Sequence, residues 1–118
     1  TVVFVEDRAL GKPENLKEAE KMLQALSGQH HQVISSVSLF KNGHNLFQHS
    51  EVTQVKFRIL SQSEILDYIQ NEEVLDKAGS YGIQEKGARF VESIQGCYFN
   101  VMGLPVQAIV QIEKEFLR

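Results

Sequence analysis

The stretch His31-Gln32-Val33-Ile34-Ser35-Ser36-Val37-Ser38-Leu39-Phe40-Lys41-Asn42-Gly43 decides the fold. Val33, Ser35, Val37 and Leu39 share one parity, and Ile34, Ser36, Ser38 and Phe40 the other. The segment therefore reads as a strand with apolar groups on both faces, too rich in β-formers to be a helix. Asn42-Gly43 tolerates the positive φ angles of a tight hairpin turn, so the chain is expected to fold back on itself there. The return strand runs through Leu46 and Phe47 to Ile59, with Thr53, Val55, Phe57 and Ile59 alternating against Val52, Gln54, Lys56 and Arg58. A long antiparallel ribbon results.

Upstream, Thr1-Val2-Val3-Phe4-Val5 is β-branched and aromatic, a short buried strand. Glu6-Asp7-Arg8 makes a polar turn, and Ala9 to Lys12 returns as a brief extended segment stopped by Pro13. Asn15 is placed to cap a helix to Ser27, in which Leu16, Ala19, Met22, Leu23 and Leu26 form one stripe and Gly28 supplies the stop. Downstream, Ser61 with Glu64 matches the capping box and opens a helix from about Ser63 to Gln70. Residues 76–88 hold three of the eight glycines and almost no periodicity, which marks a functional loop or a tight bend. Arg89 to Gln95 reads as a strand broken by Gly96. Gly103-Leu104-Pro105 opens a last helix, with Val106, Ile109, Val110, Ile112 and Phe116 as its buried stripe. The order implies a mixed α/β domain over residues 1–118: a largely antiparallel twisted sheet with a long hairpin and flanking helices.

With 118 residues, the chain is one domain at most and large enough to bury a core without staples. One cysteine, Cys97, excludes an internal disulfide framework and fits a reducing, cytoplasmic setting. No apolar run approaches the roughly 18 residues of a membrane span. A formal charge of −3 gives no net attraction to nucleic acid or an anionic membrane.

Four histidines, His30, His31, His44 and His49, lack cysteine or carboxylate partners at ligand spacing, so solvated histidines on the hairpin are expected rather than a zinc site. Cys97 has no nucleophile signature and reads as small, buried and inert. Glu72, Glu73, Asp76 and Glu85 supply carboxylates for acid/base work or, equally, a solvated acidic surface. Lys12, between Gly11 and Pro13, and Lys77, beside Ala78-Gly79, have the cation-beside-backbone setting of phosphate sites, although either alone reads more readily as a surface charge. The glycine spacing matches neither a Walker A loop nor a dinucleotide fingerprint. Gln84 carries an amide able to read the donor and acceptors on a pyrimidine's imide edge, or to brace its loop.

Leu10-Gly11-Lys12-Pro13, Met22-Leu23-Gln24-Ala25-Leu26-Ser27-Gly28 followed by His31, Asp76-Lys77-Ala78-Gly79-Ser80-Tyr81-Gly82-Ile83-Gln84, and Asn100-Val101-Met102-Gly103-Leu104-Pro105 occur in one order. Together they resemble the Maf family of nucleoside triphosphate pyrophosphatases, end to end. The resemblance implies a Maf/ITPase-like fold and a nucleotide-pool enzyme. Such an enzyme hydrolyses a nucleoside triphosphate to the monophosphate and pyrophosphate with a divalent cation, magnesium or manganese. Tyr-Gly-Ile-Gln resembles the branch acting on dTTP and UTP. The resemblance implies substrate-binding roles for Thr1, Lys12, Lys77 and Gln84, and a homodimer.

The sequence also departs from the family. The family's catalytic Asp precedes the residue matching Thr1, and its amino-terminal Ser-x-Ser-Pro-Arg-Arg loop has no counterpart, so the chain resembles the carboxy-terminal three-fifths of a Maf protein. No catalytic residue is assigned within it. The expectation is an active parent protein and a nearly inactive 118-residue chain, with a nucleotide-binding or dimerisation module as the alternative. Ser35-Ser36 stands where Thr-Gly is usual. Glu85 stands where Gly is common and adds negative charge near the substrate.

Overall fold

The computed structural model describes residues 1–116, apart from the side chain of Glu85. Five strands form one antiparallel sheet, ordered β2-β1-β3-β4-β5. They are β1 (Val2–Val5), β2 (Arg8–Leu10), β3 (His30–Lys41), β4 (His44–Phe57) and β5 (Val91–Gln95). The helices are α1 (Leu16–Leu26), α2 (Gln62–Asn71), α3 (Tyr98–Val101) and α4 (Val106–Phe116), with short 3-10 segments at Ala78–Ser80 and Glu85–Phe90. The mixed α/β layout, the long hairpin and the largely antiparallel sheet agree with the expectation.

Local chemistry explains most of these elements. At the hairpin tip Asn42 and Gly43 adopt φ of 52° and 79°, and Glu6 and Asp7 turn β1 into β2 with φ of 50° and 60°. Both tight turns thus use positive φ, which matches the right-handed twist of the strands they join. Asn15 caps α1 by accepting from the Glu18 amide at 2.8 Å. Ser61 and Glu64 make the reciprocal capping box of α2, at 3.1 and 3.0 Å.

One face of the sheet carries the core. Val3, Val5, Val33, Val55 and Phe57 are buried against α1 and α2, whereas the alternate residues Val2, Phe4 and Val52 are exposed. Phe57 sits among His31, Tyr81 and Phe90, with ring centroids 4.9, 4.7 and 5.8 Å away. Burial along the hairpin fades toward its tip, where Phe40 is 62% exposed. The molecule measures 50 × 27 × 27 Å, and 12- and 14-residue hairpin arms supply much of that length.

Several expectations are corrected. β4 ends at Phe57, not Ile59, because the Arg58 carbonyl accepts from the Gly28 amide and its amide donates to Phe90, turning the chain into the α2 cap. Arg89 and Phe90 belong to a 3-10 segment, and only Val91–Gln95 pairs with β4. Residues 98–101 form a short helix the periodicity did not indicate. In α4 the buried residues are Ala108 and Ile112, while Val110 and Phe116 are exposed, since the helix packs one face against β3. Cys97 is only partly buried. His31 is not solvated but 2% exposed, because its parity on β3 points it into the core beside Phe57. No helix among the described residues is long and apolar enough to cross a membrane.

Candidate nucleotide cleft

A cleft of about 630 Å³ opens where the start of β1, the segment after β2, the end of α2 and the glycine-rich loop converge. Thr1, Lys12, Lys77 and Gln84 all line it. Its volume is in the range of small-molecule sites. Glu72, Glu73 and Asp76 line the same cleft, and the expectation about the Glu85 carboxylate lies outside the described residues.

The loop is shaped by close backbone approaches. Gly79, at φ 70°, donates its amide to the Gly11 carbonyl at 3.1 Å and leaves no room for a side chain against Val3. This contact ties the glycine-rich loop to the segment bearing Lys12. Gly82 donates its amide to the Tyr68 hydroxyl at 3.1 Å, and a Cβ on Gly87 would lie 1.5 Å from the Gly82 carbonyl oxygen. Gln84 is therefore held in a bend closed at both ends.

The two lysines differ in what occupies their ammonium groups. Lys12 Nζ pairs with Asp76 Oδ1 at 3.2 Å, both side chains well exposed. Lys77 Nζ donates to the Glu73 carbonyl at 3.0 Å while its aliphatic arm lies over Gly82. A polyanion entering the cleft meets one lysine held by a competing carboxylate and one tied to the backbone.

Beneath the loop, His31 Nε2 and the Tyr81 hydroxyl are 2.7 Å apart, and both residues are buried. Burial, with His30 nearby, lowers the His31 pKa to about 4, so the ring is neutral at pH 7. Burial also drives the Tyr81 phenol well above its ordinary value. Nδ1 of His31 is buried without a partner. Tyr68, a cleft wall, is raised by burial, opposed by its bond from the Gly82 amide.

The remaining histidines lie elsewhere: His30 and His44 are exposed strand ends, and His49 pairs with Glu51 at 3.3 Å. Among the described residues no group of three or more His, Cys, Asp or Glu is placed to hold a metal ion. Asp76 is engaged by Lys12, so the cleft acids do not form a ready coordination set for the implied divalent cation.

Residue patterns missed three contributors: Asp76 as the partner of Lys12, the His31–Tyr81 pair, and the Ser35–Asn100 contact beside Thr1. Tyr68, buried with Ile65 and Ile69 on α2, also lines the cleft.

The family profile described as "Maf-like protein" matches residues 1–116. A dTTP/UTP pyrophosphatase of Bacillus pumilus is 49% identical over 117 residues, covering 98% of this chain and 61% of the relative. One from Acetivibrio thermocellus is 44% identical over 115 residues, covering 97% and 58%, and one from Bacillus cereus 47% over 116, covering 98% and 60%. The chain thus spans about three-fifths of the length of these curated relatives. With a profile match over nearly its whole length and four family motifs meeting around one cleft and its supporting core, the chain belongs to the Maf family.

Proposed function

We propose that the cleft binds a pyrimidine nucleoside triphosphate, dTTP or UTP, and that the protein is a cytoplasmic nucleoside triphosphate pyrophosphatase. The observation that carries this reading is the meeting of Lys12 and Gln84 in one cleft with Thr1 and Lys77. The printed names of the relatives support it. In this reading Lys12 and Lys77 hold the phosphates, while Gln84 and Thr1 face the nucleoside. Water attacks the α phosphorus, the bond to the bridging oxygen breaks, and pyrophosphate leaves with its charge stabilised by the lysines.

Lysines bind and stabilise charge but do not orient water, and none of the cleft carboxylates is assigned that task. The 118-residue chain is therefore expected to bind nucleotide and to release little pyrophosphate. A longer protein that adds the family's catalytic Asp before Thr1 is expected to be active. A second reading, a nucleotide-binding or dimerisation module, is favoured by the apolar row Val2, Ile34 and Val52, register neighbours on the outer sheet face, of which Val2 and Val52 are exposed. Ile34 is the half-buried member of that row.

The deciding assay measures pyrophosphate released from dTTP, UTP, CTP and GTP with magnesium or manganese, for the chain and for the longer protein. The expected result is turnover of dTTP and UTP by the longer protein, reduced at least tenfold by Lys12→Ala. No release from any triphosphate by the longer protein would refute the enzymatic reading.

A further inference from the structure

Thr1 Oγ1 lies 2.9 Å from Ser35 Oγ, and Ser35 Oγ lies 3.1 Å from the backbone carbonyl oxygen of Asn100. Ser35 is 2% exposed, deep at the floor beside the cleft. A carbonyl oxygen only accepts, and a serine hydroxyl has one proton to give. Both contacts are hydrogen bonds in one proton order alone: Ser35 donates to Asn100, and Thr1 donates to Ser35. The Thr1 proton then points away from the cleft, leaving lone pairs to face whatever binds there.

The far end of this relay is fixed in the hairpin. Asn100 is fully buried, and its Nδ2 lies within 3.1 Å of the Val33 carbonyl, 3.0 Å of the Glu51 carbonyl and 2.9 Å of Thr53 Oγ1. Its own carbonyl also accepts from the Gly103 amide at 2.9 Å. Gly103 has φ 94°, and a Cβ there would lie 3.2 Å from Thr1 Oγ1, so the glycine leaves the hydroxyl its space.

We infer that Ser35 and Asn100 are positioning residues that make Thr1 a hydrogen-bond acceptor in the cleft, selecting ligands that present an N–H or O–H donor. The inference rests on the cleft being a nucleotide site. Two groups of UTP that a close analogue lacks supply such a donor. One is the imide N–H of uracil or thymine, at the ring position where cytosine has a bare acceptor nitrogen. The other is the ribose 2′-hydroxyl, which dUTP lacks. An acceptor set against an acceptor forfeits a hydrogen bond and leaves two lone pairs opposed, which corresponds to roughly a tenfold loss in affinity.

The test is calorimetric binding of UTP, CTP and dUTP to the chain and to its Ser35→Ala and Ser35→Thr variants. In Ser35→Ala the Thr1 hydroxyl is free to rotate and donate. Its preference for UTP over CTP, if the imide is read, or for UTP over dUTP, if the ribose is read, should fall about tenfold. Ser35→Thr, which restores the hydroxyl, should restore the preference. Binding of UTP by Ser35→Ala with both preferences intact overturns the inference. Neutron diffraction gives a readout independent of nucleotide, since the Thr1 deuteron should point to Ser35 and the Ser35 deuteron to Asn100. The reverse order overturns the inference even where nucleotides bind. The expected order in a chain that binds no nucleotide supports the relay and refutes the nucleotide reading instead.

Discussion

The wide end of the sheet and the projecting half of the hairpin are made from the same two strands but differ in what stands on them. At the wide end, α1, α2 and the glycine-rich loop cover one face, and Val33, Val55 and Phe57 are at most 1% exposed. Toward the tip the ribbon is less covered, and Phe40 and Leu46 are 62% and 44% exposed. Strand pairing and the packing of α4 sustain the projecting half, whereas the wide end has a packed core able to hold strained and polar arrangements in place. The cleft lies at the wide end because closely approaching glycines and buried hydroxyls persist only where the surroundings fix them.

The contrast is tested most strongly by truncating an aromatic in each region. Phe57→Ala empties the centre of the aromatic cluster and should cost about 3–5 kcal/mol in denaturant unfolding. Phe40→Ala at the projecting end should stay within about 0.5 kcal/mol. Equal losses would show that the two regions share one core.

Glycines sharpen the same comparison. Gly87→Ala drives a methyl group into the Gly82 carbonyl and should cost about 3 kcal/mol together with nucleotide binding, because the Gln84 bend must open. Gly43→Ala has open space at the hairpin tip and should cost about 1 kcal/mol, from its φ of 79° alone. Thermal unfolding and nucleotide titration of both variants check this.

Acid should act on the wide end through His31. Its folded-state pKa of about 4 lies below the ordinary 6.5, so between these values the unfolded chain binds a proton that the folded chain does not. The stability contributed by neutral His31 is complete above pH 6.5 and is lost as pH falls toward 4, by up to about 3 kcal/mol. Denaturant midpoints between pH 7 and 4 should show that slope, and His31→Gln should flatten it.

The smallest effect concerns the Lys12–Asp76 pair. Asp76→Asn removes the carboxylate that competes with phosphate for Lys12 and should tighten dTTP binding several-fold. Because both side chains are exposed, stability should change by no more than about 0.5 kcal/mol. Weaker binding by Asp76→Asn would mean that the carboxylate itself serves the ligand.

Much of this architecture was legible because its determinants are close in sequence. The Asn42-Gly43 turn, the Asn15 cap and the Ser61–Glu64 box each lie within a few residues of what they organise. The end of β4 and the start of β5 were not legible, since they depend on Arg58 meeting Gly28 and Phe90. His31 looked like one more hairpin histidine because the rings that bury it come from Phe57 and Tyr81. At the site, Lys12, Lys77 and Gln84 stood out by their local chemistry, whereas Thr1 was reached only through motif resemblance. The Thr1–Ser35 and Ser35–Asn100 contacts join residues 34 and 65 positions apart, a relation that no local pattern encodes.

The most direct test of the nucleotide cleft is a titration of the isotopically labelled chain with dTTP, followed by backbone amide NMR. Shifts should concentrate at Lys12, Lys77, Gly82 and Gln84, saturate with dTTP, weaken in Lys12→Ala and be absent from Asn42-Gly43 at the hairpin tip. Saturable shifts confined to the projecting hairpin, or none anywhere at millimolar dTTP, would contradict a nucleotide cleft.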